Sequence, residues 1–174
     1  KRISITSKMI LVNALSPLSI KWRGVGGEVF IITAPIQTGK TTSLVNWSEK
    51  RDDVHGILTP VVNGKRMFMN AHTRQLFLME AKEGETETLT VGRFVFSKAN
   101  FEKAIQIIRD AMNREGWLVI DEIGPMELRG EGFHDILKEA IVKCKGKIML
   151  VIREGLVEKV KIYFNIPTAV EIKE

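Results

Sequence analysis

Residues 28–42 read Glu-Val-Phe-Ile-Ile-Thr-Ala-Pro-Ile-Gln-Thr-Gly-Lys-Thr-Thr. The stretch opens with a β-branched and aromatic run, Glu28–Thr33, which predicts a buried strand. Beyond it Leu44, Val45 and Trp47 recur near helical spacing. The sequence therefore predicts a strand, a loop and a helix in direct succession. A helix N-terminus after a loop with little side-chain bulk is a natural site for a phosphate group.

The loop itself follows the phosphate-binding pattern G-x-x-x-x-G-K-[ST], with alanine in place of the first glycine. Its predicted phosphate-binding residues are Ala34, Pro35, Ile36, Gln37, Thr38, Gly39, Lys40, Thr41 and Thr42. We expect Lys40 to reach the β- and γ-phosphate oxygens as a catalytic charge, and the Thr41 hydroxyl to ligate Mg²⁺. The pattern predicts a P-loop that binds a nucleoside triphosphate.

A carboxylate pair follows a second buried strand, Trp117–Asp121. Magnesium at a phosphate loop needs a carboxylate at the carboxyl end of a neighbouring strand, and Asp121 is predicted to be that ligand. Glu122 comes next and is predicted to polarise the water that attacks the γ-phosphate. Gly124-Pro125 should then end the strand.

Outward from these two motifs, buried strands alternate with amphipathic helices. Asn63-Gly64, between two strand-like runs, predicts a hairpin. Asn100 is predicted to cap the helix that precedes Trp117. The expected strands of the hairpin region are Ile57–Val62, Lys65–Asn70, Leu76–Ala81 and Thr88–Ser97. The pattern predicts a three-layer α/β P-loop fold, with a mainly parallel sheet and an antiparallel hairpin insert at about 57–97.

Two further charged residues are candidates for the same site. Arg153 follows an apolar run, Ile148–Ile152, and in a parallel sheet it would emerge on the same edge as Asp121. It is the preferred catalytic arginine, because charge develops on a transferred phosphoryl group. Glu127 either organises the loop after Asp121 or lies on the surface.

The string Asp-Glu-Ile-Gly-Pro-Met-Glu-Leu at 121–128 closely resembles the signature of the small P-loop nucleoside-triphosphatase family, which includes the cancer-related nucleoside-triphosphatase and its bacterial and archaeal relatives. The resemblance covers about residues 28–174. It includes Gly56-Ile57-Leu58-Thr59 and Gly92-Arg93-Phe94-Val95. It implies Mg²⁺-dependent hydrolysis of ATP, GTP and other nucleoside triphosphates with loose base selectivity, and makes Arg93 the second candidate arginine.

The chain departs from that family pattern at three positions. Ala34 replaces the first loop glycine, Pro60 stands where an acidic residue is usual, and Ile152 stands where a histidine is usual. The departures concern base preference and turnover more than phosphate binding.

Composition and charge set the remaining expectations. The 174 residues are 44% hydrophobic, enough for one globular domain. Of 26 basic residues, five lie in an acid-free segment, 1–27, so the rest of the chain carries 21 basic and 21 acidic residues. We expect residues 1–27 to be a basic arm of short strands, with a targeting peptide as the alternative, and 28–174 to be the nucleoside-triphosphatase domain. Nucleic acid is expected to bind only weakly, through the arm.

Other partners and the location follow from simple counts. No apolar run approaches the ~18 residues that cross a bilayer, so no membrane role is predicted. Cys144 is the single cysteine, which is typical of a reducing compartment, and a cytoplasmic location is expected. The sequence does not indicate an oligomeric state.

The sequence thus predicts a Mg²⁺-dependent nucleoside triphosphatase. Two alternatives remain open: a kinase that uses the 57–97 insert to bind a nucleoside or small metabolite as acceptor, and a non-catalytic module that responds to nucleotide. Phosphate release without an added acceptor separates the hydrolase from both.

Overall fold

The computed structural model describes residues 27–33 and 40–173. Residues 1–26 of the basic arm, the loop at 34–39 and the side chain of Lys40 lie outside what the structure describes, so the predictions made for them stay predictions. The strands are β1 Val29–Thr33, β2 Val54–Leu58, β3 Val61–Val62, β4 Lys65–Asn70, β5 Leu76–Leu78, β6 Thr88–Val91, β7 Phe94–Ser97, β8 Trp117–Ile123, β9 Lys147–Ile152 and β10 Val170–Lys173. The α-helices are α1 Lys40–Glu49, α2 Lys98–Ala111, α3 His134–Lys143 and α4 Val157–Tyr163, and a 3₁₀ turn spans Glu127–Arg129.

The main sheet has the order β10-β1-β9-β8-β2-β4-β3, and β5 pairs with β4. The strands from β10 to β2 run parallel to one another. From β4 onward the pairing is antiparallel. A mainly parallel sheet with an antiparallel insert confirms the predicted fold class.

Helices cover both faces of the parallel strands, which explains why those strands are nearly continuous apolar runs. On one face Leu44 and Trp47 of α1 pack in a cluster with Val119 of β8. On the other, Phe101 of α2 and Ile136 of α3 pack in a second cluster. Successive strand residues point to opposite faces, so β1, β2, β8 and β9 each contribute to both clusters. This three-layer packing was predicted.

The antiparallel region differs in detail from the prediction. Ile57–Val62 is not one strand, because Thr59-Pro60 separates β2 from β3. Thr88–Ser97 is also not one strand but a hairpin, β6–β7, that turns at Gly92, whose φ of 58° suits glycine. The predicted Asn63-Gly64 turn is present, with φ of 51° and 76° at its two residues, and joins β3 to β4.

The N-cap of the helix before β8 lies three residues before the predicted one. Ser97 is the N-cap, and its hydroxyl accepts a hydrogen bond from the Asn100 N–H at 3.2 Å. Serine and asparagine cap helices comparably well, so spacing alone does not choose between them.

No helix in the described ranges has the length and hydropathy needed to cross a bilayer.

Candidate active site

Thr41 of the first predicted motif and Asp121 of the second meet at the carboxyl edge of the parallel sheet. The loop at 34–39 lies outside the described residues, but β1 ends at Thr33 and α1 begins at Lys40, in the predicted order. The Thr41 hydroxyl donates a hydrogen bond to Oδ2 of Asp121 at 3.0 Å, although 80 residues separate the two in the chain. The structure therefore brings Thr41 and Asp121 together, which the prediction of a shared Mg²⁺ site requires.

Asp121 is wholly buried within β8, which continues to Ile123 rather than ending at Asp121 as expected. Its Oδ2 also accepts the backbone N–H of Thr59 at 3.0 Å. Its Oδ1 is buried and has no hydrogen-bond partner among the described residues. Burial raises the pKa of Asp121 from 3.8 to about 6, against the lowering effect of the hydrogen bonds from Thr59 and Thr41.

An Mg²⁺ ion suits these donors. Mg²⁺ prefers hard oxygen ligands, and Thr41 with the unpartnered Oδ1 of Asp121 supplies a hydroxyl and a carboxylate oxygen. The described residues contain no group of three or more His, Cys, Asp or Glu that could hold a metal. A cation at Asp121 would thus depend on substrate phosphates and water for its other ligands, as Mg²⁺ commonly does.

Thr59 was not among the predicted site residues. It follows β2, which lies parallel to β8, and its N–H reaches Asp121 because β2 and β8 are close neighbours. That closeness depends on Gly56: its φ is 101°, and a Cβ there would lie 2.2 Å from the carbonyl oxygen of Val119. The Gly-x-x-Thr spacing was the signal that could have identified Thr59.

Glu122 and Arg153 face one cavity. Glu122 is exposed beside its buried neighbour, and the cavity that it lines, of about 540 Å³, is also lined by Thr41 and Arg153. Arg153 follows β9, and its backbone N–H bonds to the carbonyl of Ile123 at 3.0 Å, so it lies at the edge where β8 ends. The structure therefore brings the predicted base and the preferred arginine together at the Thr41–Asp121 edge.

Glu127 is buried, with 3% of its surface exposed, and it organises the loop after the carboxylate pair. Its Oε2 accepts the Gly124 N–H at 2.8 Å and its Oε1 accepts the Phe133 N–H at 3.1 Å. Burial raises the pKa of Glu127, while these hydrogen bonds oppose the shift. Of the two roles predicted for Glu127, the structure supports the organising one.

Arg93, the second candidate arginine, lies on the β6–β7 turn. Its guanidinium is 5.1 Å from the centre of the Phe94 ring, and it does not belong to the described residues that line the cavity. Arg66 of β4 does line the cavity, and the sequence did not single it out. No local motif marks Arg66, because its place depends on how the insert folds back over the sheet edge.

Comparison with known proteins shows which family and which individual proteins the chain is similar to. A family model described as NTPase matches residues 29–170. The nucleoside-triphosphatase THEP1 of Methanopyrus kandleri is 29% identical over 121 residues, an alignment that covers 63% of this chain and 65% of the relative, slightly less than two thirds of its length. The crystal structure of THEP1 from Aquifex aeolicus matches with a TM-score of 0.65 and 27% identity, over 83% of this chain and 88% of that one.

Proposed function

Since the chain belongs to the NTPase family, we propose that it is a Mg²⁺-dependent hydrolase that converts ATP, GTP and other nucleoside triphosphates to diphosphate and phosphate. The observation that carries the proposal is the Thr41–Asp121 hydrogen bond at 3.0 Å, which joins the phosphate-loop helix to the carboxylate strand. The printed name of the archaeal relative, a nucleoside-triphosphatase, supports the same reaction. Loose selectivity for the base is part of the proposal.

The phosphates would be held by loop 34–39 and by the start of α1. Loop amides and a helix N-terminus favour anions, and Lys40 adds a point charge. Thr41 and Asp121 would hold Mg²⁺, which when bound neutralises charge on the β- and γ-phosphate oxygens. The buried Oδ1 of Asp121, unpartnered among the described residues, supports this assignment.

Glu122 would act on the attacking water. Its carboxylate accepts a hydrogen bond from the water and takes the proton as the water oxygen bonds to the γ-phosphorus. The bond from the γ-phosphorus to the β–γ bridging oxygen breaks, and the nucleoside diphosphate leaves with that oxygen. Arg153, which lines the same cavity, would stabilise the charge on the γ-phosphoryl oxygens.

The test is phosphate release from ATP, GTP, CTP and UTP by the full chain, with Mg²⁺ and with EDTA. We expect release from all four that requires Mg²⁺. Thr41→Val, which removes the hydroxyl at nearly constant shape, should abolish the Mg²⁺-dependent release, whereas Thr41→Ser should retain it. Equal release with Mg²⁺ and with EDTA, or none from any triphosphate, would contradict the proposal.

The same assay separates the two alternatives. A kinase would release little phosphate until its acceptor is added. A non-catalytic module would bind the triphosphate, which equilibrium dialysis detects, and release none.

A cytoplasmic location is proposed from the cysteine content. The one cysteine, Cys144, is buried as a free thiol, which suits a reducing compartment. Cell fractionation with an antibody against the chain tests the location.

A further inference from the structure

The cavity at the active site extends beyond the residues that the proposed hydrolysis uses. Its volume, about 540 Å³, is in the range of small-molecule sites. One corner is polar and contains Thr41, Glu122 and Arg153. The opposite side, which we call the insert wall, comes mainly from the antiparallel insert and the start of α2. The insert wall consists of Val61, Arg66, Met79, Val91, Phe94, Phe96 and Phe101.

The nucleotide itself should leave the insert wall free. The γ-phosphate is the end of the substrate that meets Glu122 in the proposed function, and the base is attached at the other end of the triphosphate. Val61 and Arg66 of the insert wall lie on β3 and β4, which are farther from β1 in the sheet than β8 is. Phe94 and Phe96 lie on the separate β6–β7 hairpin and line the same cavity as Glu122. Hydrolysis needs only a water molecule at that end, and contact between water and an apolar wall is unfavourable.

Arg66 gives the insert wall an anion-binding group. Its guanidinium carbon lies 4.5 Å from the centre of the Phe94 ring, and no carboxylate within the described ranges forms an ion pair with it. Arginine presents a planar fork that pairs with carboxylate or phosphate oxygens. The neighbouring Glu127 does not compete, because its two oxygens already accept N–H groups of Gly124 and Phe133.

The rings of the insert wall suit a flat ligand. Phe94 and Phe96 are nearly parallel, with ring planes 9° apart and centres 6.0 Å apart. Flat rings stack against such faces in offset or edge-on arrangements. Met79, Phe96 and Phe101 are buried, whereas Phe94 is half-buried and Val61 is exposed, so a ligand from solvent would reach the wall at Phe94 and Val61.

We propose that the insert wall is the binding site of a second small molecule, one that carries a flat ring and an anionic group, with the anionic group on Arg66. The proposal rests on the proposed function for the position of the γ-phosphate. Because the cavity is continuous from the wall to Glu122, the second molecule would lie next to the γ-phosphate and would slow hydrolysis when it excludes the attacking water.

The test uses the full chain and the fluorescent probe anilinonaphthalenesulfonate, which has flat rings and one sulfonate. We expect saturable binding that Arg66→Met weakens about tenfold, the loss of one charge-assisted hydrogen bond. Arg93→Met is the matched control, because Arg93 lies over the same Phe94 ring but outside the cavity lining, and it should bind like the wild type. Val61→Glu, at a position 63% exposed, should also weaken binding, by repulsion.

Two competition experiments define the ligand. Mg²⁺ with a non-hydrolysable ATP analogue should leave the probe bound, and its displacement would instead assign the insert wall to the nucleotide base and overturn the proposal. A nucleoside monophosphate should displace the probe at lower concentration than the corresponding nucleoside, and equal potency would overturn the anionic requirement. Equal binding by wild type and Arg66→Met would also refute the site. Arg66-dependent probe binding in a chain that neither binds nor hydrolyses triphosphates would refute the proposed function and leave the second site standing.

Discussion

The buried carboxylate of Asp121 should make the protein less stable at neutral pH than the same protein with asparagine at this position. In Asp121→Asn the amide oxygen can accept the Thr41 and Thr59 hydrogen bonds that Oδ2 accepts now. The amide nitrogen takes the place of Oδ1, which already has no partner among the described residues. The variant therefore removes a buried charge and keeps the two observed hydrogen bonds.

The pKa of Asp121 sets the size of this loss of stability. It rises from 3.8 to about 6 in the folded protein, so the unfolded chain gives up its proton first as the pH rises. Ionisation at Asp121 therefore lowers the free energy of unfolding from about pH 4 upward, and the full cost is reached above pH 6. At roughly 1.4 kcal/mol per pKa unit, the cost is about 3 kcal/mol at pH 7.5 and about half of that at pH 5.

Urea unfolding at pH 5 and pH 7.5 measures this difference without Mg²⁺ or nucleotide. The stability of Asp121→Asn relative to wild type should increase by about 1.4 kcal/mol between the two pH values, which corresponds to roughly 3–6 °C in Tm. Asp110→Asn, at an exposed aspartate of α2, is the matched control and should show no such increase. A relative stability of Asp121→Asn that does not change with pH would refute the reasoning.

The same variant tests the metal site. Mg²⁺ with a non-hydrolysable triphosphate should stabilise the wild type by about 2.7 kcal/mol at a hundredfold excess over Kd. Asp121→Asn lacks the carboxylate and should lose the part of this stabilisation that requires Mg²⁺. Equal Mg²⁺-dependent stabilisation of the two proteins would show that Asp121 does not hold the ion.

Three further predictions concern Glu122, Glu127 and His55. Glu122→Gln should bind triphosphate like the wild type in equilibrium dialysis and lower kcat by about 10²–10⁴, the usual contribution of a general base; undiminished phosphate release would exclude Glu122 from that role. Glu127→Ala should lower the free energy of unfolding by about 2–4 kcal/mol, because it leaves the N–H groups of Gly124 and Phe133 without their acceptor. Glu127→Gln should lower it less. Urea unfolding compares the two variants, and a loss under about 0.5 kcal/mol for the alanine variant would contradict the organising role. His55 is 9% exposed and its ring centre lies 4.7 Å from that of His72. Burial, aided by His72 and Arg114, lowers the pKa of His55 below 6.5, so stability present above pH 6.5 should fall as the pH drops below that value. His55→Gln should flatten that part of the pH profile, and an unchanged profile would exclude His55 as its source.

Local patterns predicted most of the fold. Continuous apolar runs predicted β1, β8 and β9, and apolar residues at helical spacing predicted α2 and α3. Both signals can be read from short stretches of sequence. The Asn63-Gly64 turn was equally local, because two consecutive residues with positive φ favour Asn followed by Gly. The wrong prediction of a single strand at Thr88–Ser97 also had a local cause. The strand-like composition continues through the turn at Gly92, so it does not reveal the turn.

The meeting of Thr41 and Asp121 could be predicted without coordinates, since parallel strands place their carboxyl ends on one edge. Other features of the site depend on long-range packing and could not be predicted. The burial of Glu127, the hydrogen bond from Thr59 and the position of Arg66 on the insert wall depend on which segments fold against one another. Burial raises the pKa of Asp121 to about 6, and no property of residues 117–125 alone could have specified that environment. Residue types and their spacing thus indicate which chemistry is available, whereas the exclusion of water and the juxtaposition of distant side chains exist only in the folded chain.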